Sequence, residues 1–342
     1  MKQRHSPSRS GTRRALVAAA LAAALTPVWA PGALAQPIVM RVSHQVPPAH
    51  HLSKLLEGFA ADVKQRTNGG VEVQLFASQA LAKAGENFPQ VAKGNIEAAV
   101  SVNFQWGNTL PEMNVFTIPF FFGELDKIKR FPNSEARKFL DDKLMQRGVK
   151  SVAWLYITRQ SIFTSGKKEL KSPRDFDGVK IRGLNPMVDS GLKAAGAAPS
   201  AMPGSEVYQA LQSGVLDAGL TDVSAAYSRK YFEVQKYGTV TPFFTVYFHL
   251  YVNPAWWDKL SPAQRQAIEA AAAKAEQDAV GVTEATADAA VGQLRDKGMT
   301  LHMQTPAEGA QWKAVMQKPV MDAFLKAAPE GGQKIIELVG KI

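Results

Sequence analysis

The chain contains no cysteine in 342 residues. A disulfide framework, a thiol nucleophile and a thiolate metal site are therefore excluded. A Gly-x-Gly-x-x-Gly fingerprint, a phosphate-binding P-loop and a Gly-x-Ser-x-Gly elbow are absent too, so neither nucleotide binding nor serine hydrolysis has a signature here. No segment after residue 35 offers the roughly 18 uninterrupted apolar residues of a spanning helix; Ile118–Phe122 is apolar but brief and broken by Pro119. There is no basic run with interleaved aromatics, which argues against a nucleic-acid partner. His44, His50 and His51 come without a His-x-x-x-His or carboxylate pattern, so no metal site is expected. No cofactor is expected either.

Residues 1–35 carry Lys2, Arg4, Arg9, Arg13 and Arg14 and no acidic residue. An apolar run from Leu16 to Leu25 follows, too short to cross a bilayer, and Ala33-Leu34-Ala35 supplies small residues for cleavage. That order is the one of a secretory signal, with cleavage expected after Ala35 and a periplasmic destination. Thr12–Val17 also resembles a twin-arginine signal. A paired arginine is common in any basic leader, so the general secretory route is favoured. Removing the leader lowers the formal charge from +10 to +5. The remaining positive excess is mild and compatible with steering an anionic ligand.

The other 307 residues suffice for about two domains, each with a core. Val39–His44 reads as a strand and His51–Arg66 as a helix with its apolar stripe at Leu52, Leu55, Leu56, Phe59 and Val63. Thr67-Asn-Gly-Gly70 stops it. Val71–Phe76, Asn87–Lys93 and Ile96–Val102 then read as strand, helix and strand, an alternation that predicts a parallel sheet with helices on its faces. The alternation restarts with strands at Lys150–Tyr156, Val179–Arg182 and Leu216–Leu220, and helices at Ser190–Ala195 and Val207–Gln212. Phe244–Val252 reads as a long strand returning to the first half. Ser261, Pro262 and Gln264 form the start of a long helix, which from Pro262 to Lys297 would span about 54 Å. A domain of about 150 residues is only roughly 40 Å across, so this helix should brace two lobes. Two helices broken near Gly281 are the alternative.

Asp175-Phe-Asp-Gly-Val-Lys-Ile-Arg182, followed by Ser205-Glu-Val-Tyr-Gln-Ala-Leu-Gln-Ser-Gly-Val-Leu-Asp-Ala-Gly219, resembles the solute receptors of TRAP transporters, of the dicarboxylate-receptor type. These are the receptor subunits of tripartite ATP-independent periplasmic importers of organic acids. Thr67–Val73, Gly94–Ala99, Pro111–Phe122 and Asn253–Pro262 match further family segments in the same order. The resemblance implies a bilobed α/β periplasmic binding protein with crossing strands and a long C-terminal spine helix. It implies lobe I at 36–156 plus about 247–290, and lobe II at 157–246 plus about 291–342. It also implies a monomeric receptor, not an enzyme, that captures a small carboxylate and hands it to TRAP membrane permease subunits. A sensing receptor for a signalling partner and a periplasmic enzyme acting on organic acids are the alternatives.

By the same resemblance Arg182 is the carboxylate clamp, a role suited to the two parallel donors of a guanidinium. Arg159 matches a second arginine that reaches the ligand, with a hinge salt bridge as its other reading. Asp222 stands where the family commonly has asparagine. A carboxylate only accepts hydrogen bonds, so the ligand brings a donor, or Asp222 pairs with Arg159, or it faces solvent. Gly204 replaces an apolar, often aromatic, residue and suggests a roomier pocket. His44, Gln45, Val102 and Asn103 end strands, where open α/β sheets bind ligands. Phe243 and Phe244 lie near the crossover and can stack on a ligand, although core packing suits Phe244 better. Trp154 and Tyr156 share that ambiguity.

Overall fold

The computed structural model describes residues 36–342. The leader, its cleavage point and the twin-arginine motif lie outside the described residues. Within them the strands are β1 (Ile38–His44), β2 (Val71–Phe76), β3 (Ala98–Val102), β4 (Lys150–Thr158), β5 (Ser161–Ser165), β6 (Lys180–Gly183), β7 (Ala198–Ala201), β8 (Ala218–Asp222), β9 (Tyr237–Thr241), β10 (Val246–Val252) and β11 (Thr300–Met303). They form two sheets, ordered β2-β1-β3-β10-β4 and β11-β9-β5-β8-β6-β7. This is the bilobed α/β architecture that the resemblance implies, but both sheets are mixed and not purely parallel as the alternation predicts.

In the first sheet β1 runs parallel to β2 and β3, and β10 returns antiparallel between β3 and β4. All seven residues of β10 are buried, because both faces of a central strand are covered by other elements. In the second sheet β6 runs parallel to β7 and β8, whereas β5 lies antiparallel to β8 and β9. The helix His51–Arg66 buries the expected stripe on the first sheet. Each fully buried Leu or Phe in it contributes roughly 1.5–3 kcal/mol. It ends where Asn68 and Gly69 take positive φ of 49° and 78°, a conformation these residues accept at low cost.

Two chain segments cross between the sheets. β4 passes into β5 through Arg159 and Gln160, and β9 passes into β10 through residues 242–245. The helix Pro262–Asp296 is the third link. It runs unbroken through Gly281 for 35 residues, about 52 Å. Ser261 and Gln264 close the capping box at its start. Its buried stripe is mostly alanine: Ala271, Ala272, Ala275, Ala279, Ala287 and Ala290. Small side chains let the helix lie close to its neighbours. Ala271 to Ala279 join a core with Leu55, Leu155 and Phe248. Ala287, Ala290 and Leu294 join another with Ile162 and Val240. The spine is thus packed into the cores under both sheets.

Within 291–342, β11 joins the second sheet and Trp312 packs on Phe163 and Phe176, whereas the last helix packs elsewhere. Ile335 and Val339 of the helix Gly332–Gly340 pack with Leu140 and Leu144 of the helix Glu135–Gln146, on the first side. The amphipathic face of that last helix finds its apolar partner there.

Candidate functional site

Arg182 is the third residue of β6 and is only 3% exposed. Its Nη1 donates to the Leu220 carbonyl at 2.7 Å, and its Nε and Nη2 each donate to the Met202 carbonyl at 3.3 Å. The guanidinium carbon lies 5.9 Å from the centre of the Phe104 ring. Among the described residues no carboxylate forms an ion pair with it. Burial, reinforced by Arg229 and opposed by Tyr231, Asp222 and Asp189, pulls its pKa down from 12.5 to about 10. It remains charged at neutral pH, and a charge is expensive to hold in such a place without a counter-ion.

Arg182 lines a small cavity of about 20 Å³ together with Gln45, Val102, Phe104, Gly204, Thr221, Asp222, Arg229 and Phe244. Gln45, Val102, Arg182 and Asp222 all come from the carboxyl ends of parallel strands, β1, β3, β6 and β8. Such ends converge where open α/β sheets place ligands. Space of this size fits a water molecule but not an organic acid. A ligand therefore enters only if the two walls separate.

Arg229 is the residue that sequence reasoning missed. It follows the short helix Val223–Ser228 and donates through Nη1 to the Thr221 hydroxyl at 3.4 Å. A Cβ on Gly204 would stand 2.5 Å from its Nη1 and 2.8 Å from its guanidinium carbon. Glycine at 204 makes room for the Arg229 side chain, so the space expected there for a larger ligand is already taken. The only sequence signal was a glycine in place of a bulky residue, which does not say what fills the gap.

Asp222 is 9% exposed; it neither pairs with Arg159 nor faces solvent, and it lines the cavity. Its carboxylate caps the helix Val223–Ser228, accepting from the Ala225 amide at 2.7 Å and the Ser224 hydroxyl at 2.6 Å. The Ser224 oxygen also lies 3.2 Å from His51 Nδ1. A nucleophilic serine gives its proton to histidine; here the hydroxyl proton points to the carboxylate instead.

Arg159 stands apart from this cavity, in the crossover between β4 and β5. It grips Glu284 of the spine with Nη2 to Oε2 at 2.7 Å and Nε to Oε2 at 3.0 Å. The Tyr156 hydroxyl donates to the same carboxylate at 2.6 Å. Burial alone would raise the Glu284 pKa, but these hydrogen bonds outweigh it and hold it below the usual value. The geometry is a salt bridge between the crossover and the spine.

Four other expected residues are buried. Asn103 donates to the Met113 carbonyl at 3.2 Å and accepts from the Tyr247 amide at 3.2 Å. Phe243 is buried edge-on against Phe120 and Phe163, whereas its neighbour Phe244 reaches the cavity. His44 is buried, and burial lowers its pKa to about 4 despite a hydrogen bond with the Val46 backbone. Trp154 donates through Nε1 to Asp141 at 2.8 Å and belongs to the aromatic core. Among the described residues no three His, Asp or Glu side chains stand together to hold a metal ion.

Two α/β lobes linked by crossing strands and a spine helix, with a buried cation facing the cleft, define a bilobed binding protein. The chain belongs to the bacterial extracellular solute-binding protein family 7 (DctP), whose family model matches residues 42–327. It is similar to the C4-dicarboxylate-binding periplasmic protein DctP of Rhodobacter capsulatus, 31% identical over 314 residues, 91% of this chain and 93% of that one. A TRAP periplasmic solute-binding protein of Sulfurospirillum deleyianum, solved with bound succinate, matches with a TM-score of 0.82. It is 26% identical, covering 89% of this chain and 98% of that one. One from Desulfovibrio salexigens, solved with bound orotic acid, matches with a TM-score of 0.84 at 26% identity, covering 89% and 97%.

Proposed function

We propose that this protein is an extracytoplasmic receptor that captures a small organic carboxylate and delivers it unchanged to a TRAP-type permease. The observation that carries this reading is the Arg182 guanidinium: buried, charged, and bonded only to neutral carbonyls. A ligand carboxylate supplies the counter-ion, in the bidentate geometry that a guanidinium favours. Gln45 and Thr221 stand beside it as polar partners. Family membership, the binding of succinate and orotic acid by similar receptors, and the basic and apolar leader support the same reading. The inverted Asp222–Ser224–His51 order supports capture without chemistry.

In this reading β1–β4 and β10 with their helices form lobe I, and the second sheet with its helices forms lobe II. The lobes part to admit the ligand and close over it, a hinge motion about the two crossovers. A thermal-shift screen of the protein against organic acids tests the proposal. A ligand at 100 times its dissociation constant stabilises by about 2.7 kcal/mol. At least one carboxylate should raise the melting temperature of the wild type and leave Arg182→Ala unmoved. Equal shifts in both proteins would refute the clamp.

A further inference from the structure

The two walls of the Arg182 cavity differ in chemistry. On one wall stand Arg182 and Arg229, whose guanidiniums lie over the same two segments. Arg182 bonds the carbonyls of Met202 and Leu220, while Arg229 bonds Thr221 and rests on Gly204. Arg229 has a buried Nε with only the buried Tyr231 hydroxyl as a polar neighbour, and among the described residues no carboxylate pairs with it. Two neighbouring cations repel, and neither of these is ion-paired with an acid among the described residues. Asp222 is the acid beside Arg182, and its Oδ1 is taken by the Ala225 amide and the Ser224 hydroxyl. The facing wall is Val102, Phe104, Phe244, Val246 and Phe248, with Gln45 as its polar member.

We propose that Arg229 is a second guanidinium of the carboxylate clamp, and that the apolar wall opposite selects a monocarboxylate with an apolar or aromatic body. The proposal rests on the reading of Arg182 as a carboxylate clamp. A single carboxylate has two oxygens and about four acceptor sites, enough for two guanidiniums at once. Both cations then serve one end of the ligand. A second carboxylate would have to lie against the valines and phenylalanines, with Gln45 as its donor, an unfavourable burial of charge. The adjoining cavity of about 490 Å³ shares Gln45, Gly204 and Arg229 with this one and adds one further cation, Lys230. Its Lys230 is paired with Glu233 at 3.7 Å, and Glu233 also accepts from the Tyr208 hydroxyl at 2.7 Å. Flat aromatic walls at Phe104, Phe244 and Phe248 suit a ring or a branched chain.

The test is titration calorimetry of the full mature chain with phenylacetate, 4-methylpentanoate and succinate. The proteins are the wild type, Arg229→Ala, Arg229→Lys and Arg182→Ala, each checked for folding by circular dichroism. The wild type should bind one of the two monocarboxylates at least about tenfold more tightly than succinate. Arg229→Ala should weaken that ligand at least about thirtyfold, as expected for loss of one partner of a buried charge pair. Arg229→Lys should fall between the two, because the charge stays and the fork is lost. Tighter binding of succinate, or no binding of either monocarboxylate at about 5 mM, overturns the inference. So does an Arg229→Ala affinity within about threefold of wild type. If succinate wins and Arg182→Ala still abolishes its binding, the receptor reading stands and only this inference fails.

Discussion

Replacing Arg182 with methionine removes a buried charge while keeping an extended, flexible side chain. The arginine's pKa falls from 12.5 to about 10 on folding, so folding disfavours its charged form. At pH 7 the side chain is charged both folded and unfolded, and the full penalty applies. A shift of about 2.5 units corresponds to about 3 kcal/mol. Against this, the Leu220 and Met202 carbonyls lose their donor, at about 1 kcal/mol each. The unliganded variant should therefore be more stable by about 1 kcal/mol, a rise of about 2 °C in melting temperature. Differential scanning calorimetry without ligand measures it, and the same variant should gain nothing from added organic acids. A melting temperature lowered by about 4 °C or more would refute the reasoning. It would make Arg182 a residue the fold needs, not one held at a cost for binding.

Two further outcomes follow from the hinge and the buried histidines. Arg159→Ala leaves Glu284 and Tyr156 without their cation and should destabilise by about 1–2 kcal/mol, while carboxylate affinity stays within about threefold; a tenfold loss of affinity at an unchanged melting temperature would make Arg159 a ligand contact. His44 titrates at about 4 in the fold against about 6.5 unfolded. Its folded pKa is depressed, so the stability it contributes is complete above pH 6.5 and is lost as pH falls towards 4. That loss should reach about 3 kcal/mol, and His44→Gln should flatten the urea midpoint between pH 6.5 and 4. An unchanged pH profile in the variant would count against it.

The elements that sequence analysis reached were those whose signal is local. The stripe of the helix His51–Arg66, its Asn-Gly stop, and the capping box at Ser261 can be read from a few neighbouring residues. β5 and β9 escaped it. Ser161-Ile-Phe-Thr-Ser165 is five residues with no alternation, and Tyr237–Thr241 carries a glycine in its middle. Both are strands only because distant partners bury them. The site divides in the same way. Arg182 ends a recognisable strand motif and faces the cleft. Arg229 reaches the cavity by lying over Gly204, a pairing across intervening helix and strand that no local spacing announces. Asp222 could be recognised as unusual, but its helix-capping bonds to Ala225 and Ser224 depend on where the next helix starts.

The central claim is that Arg182 recognises the ligand's carboxylate charge. The acid that raises the melting temperature most should be titrated alongside its primary amide, into wild type and Arg182→Ala. The wild type should prefer the acid by at least about a hundredfold, from paired charge-assisted hydrogen bonds in a buried site. Arg182→Ala should prefer it by less than about threefold. A variant that keeps the hundredfold preference would contradict the account, because the charge would then be read elsewhere.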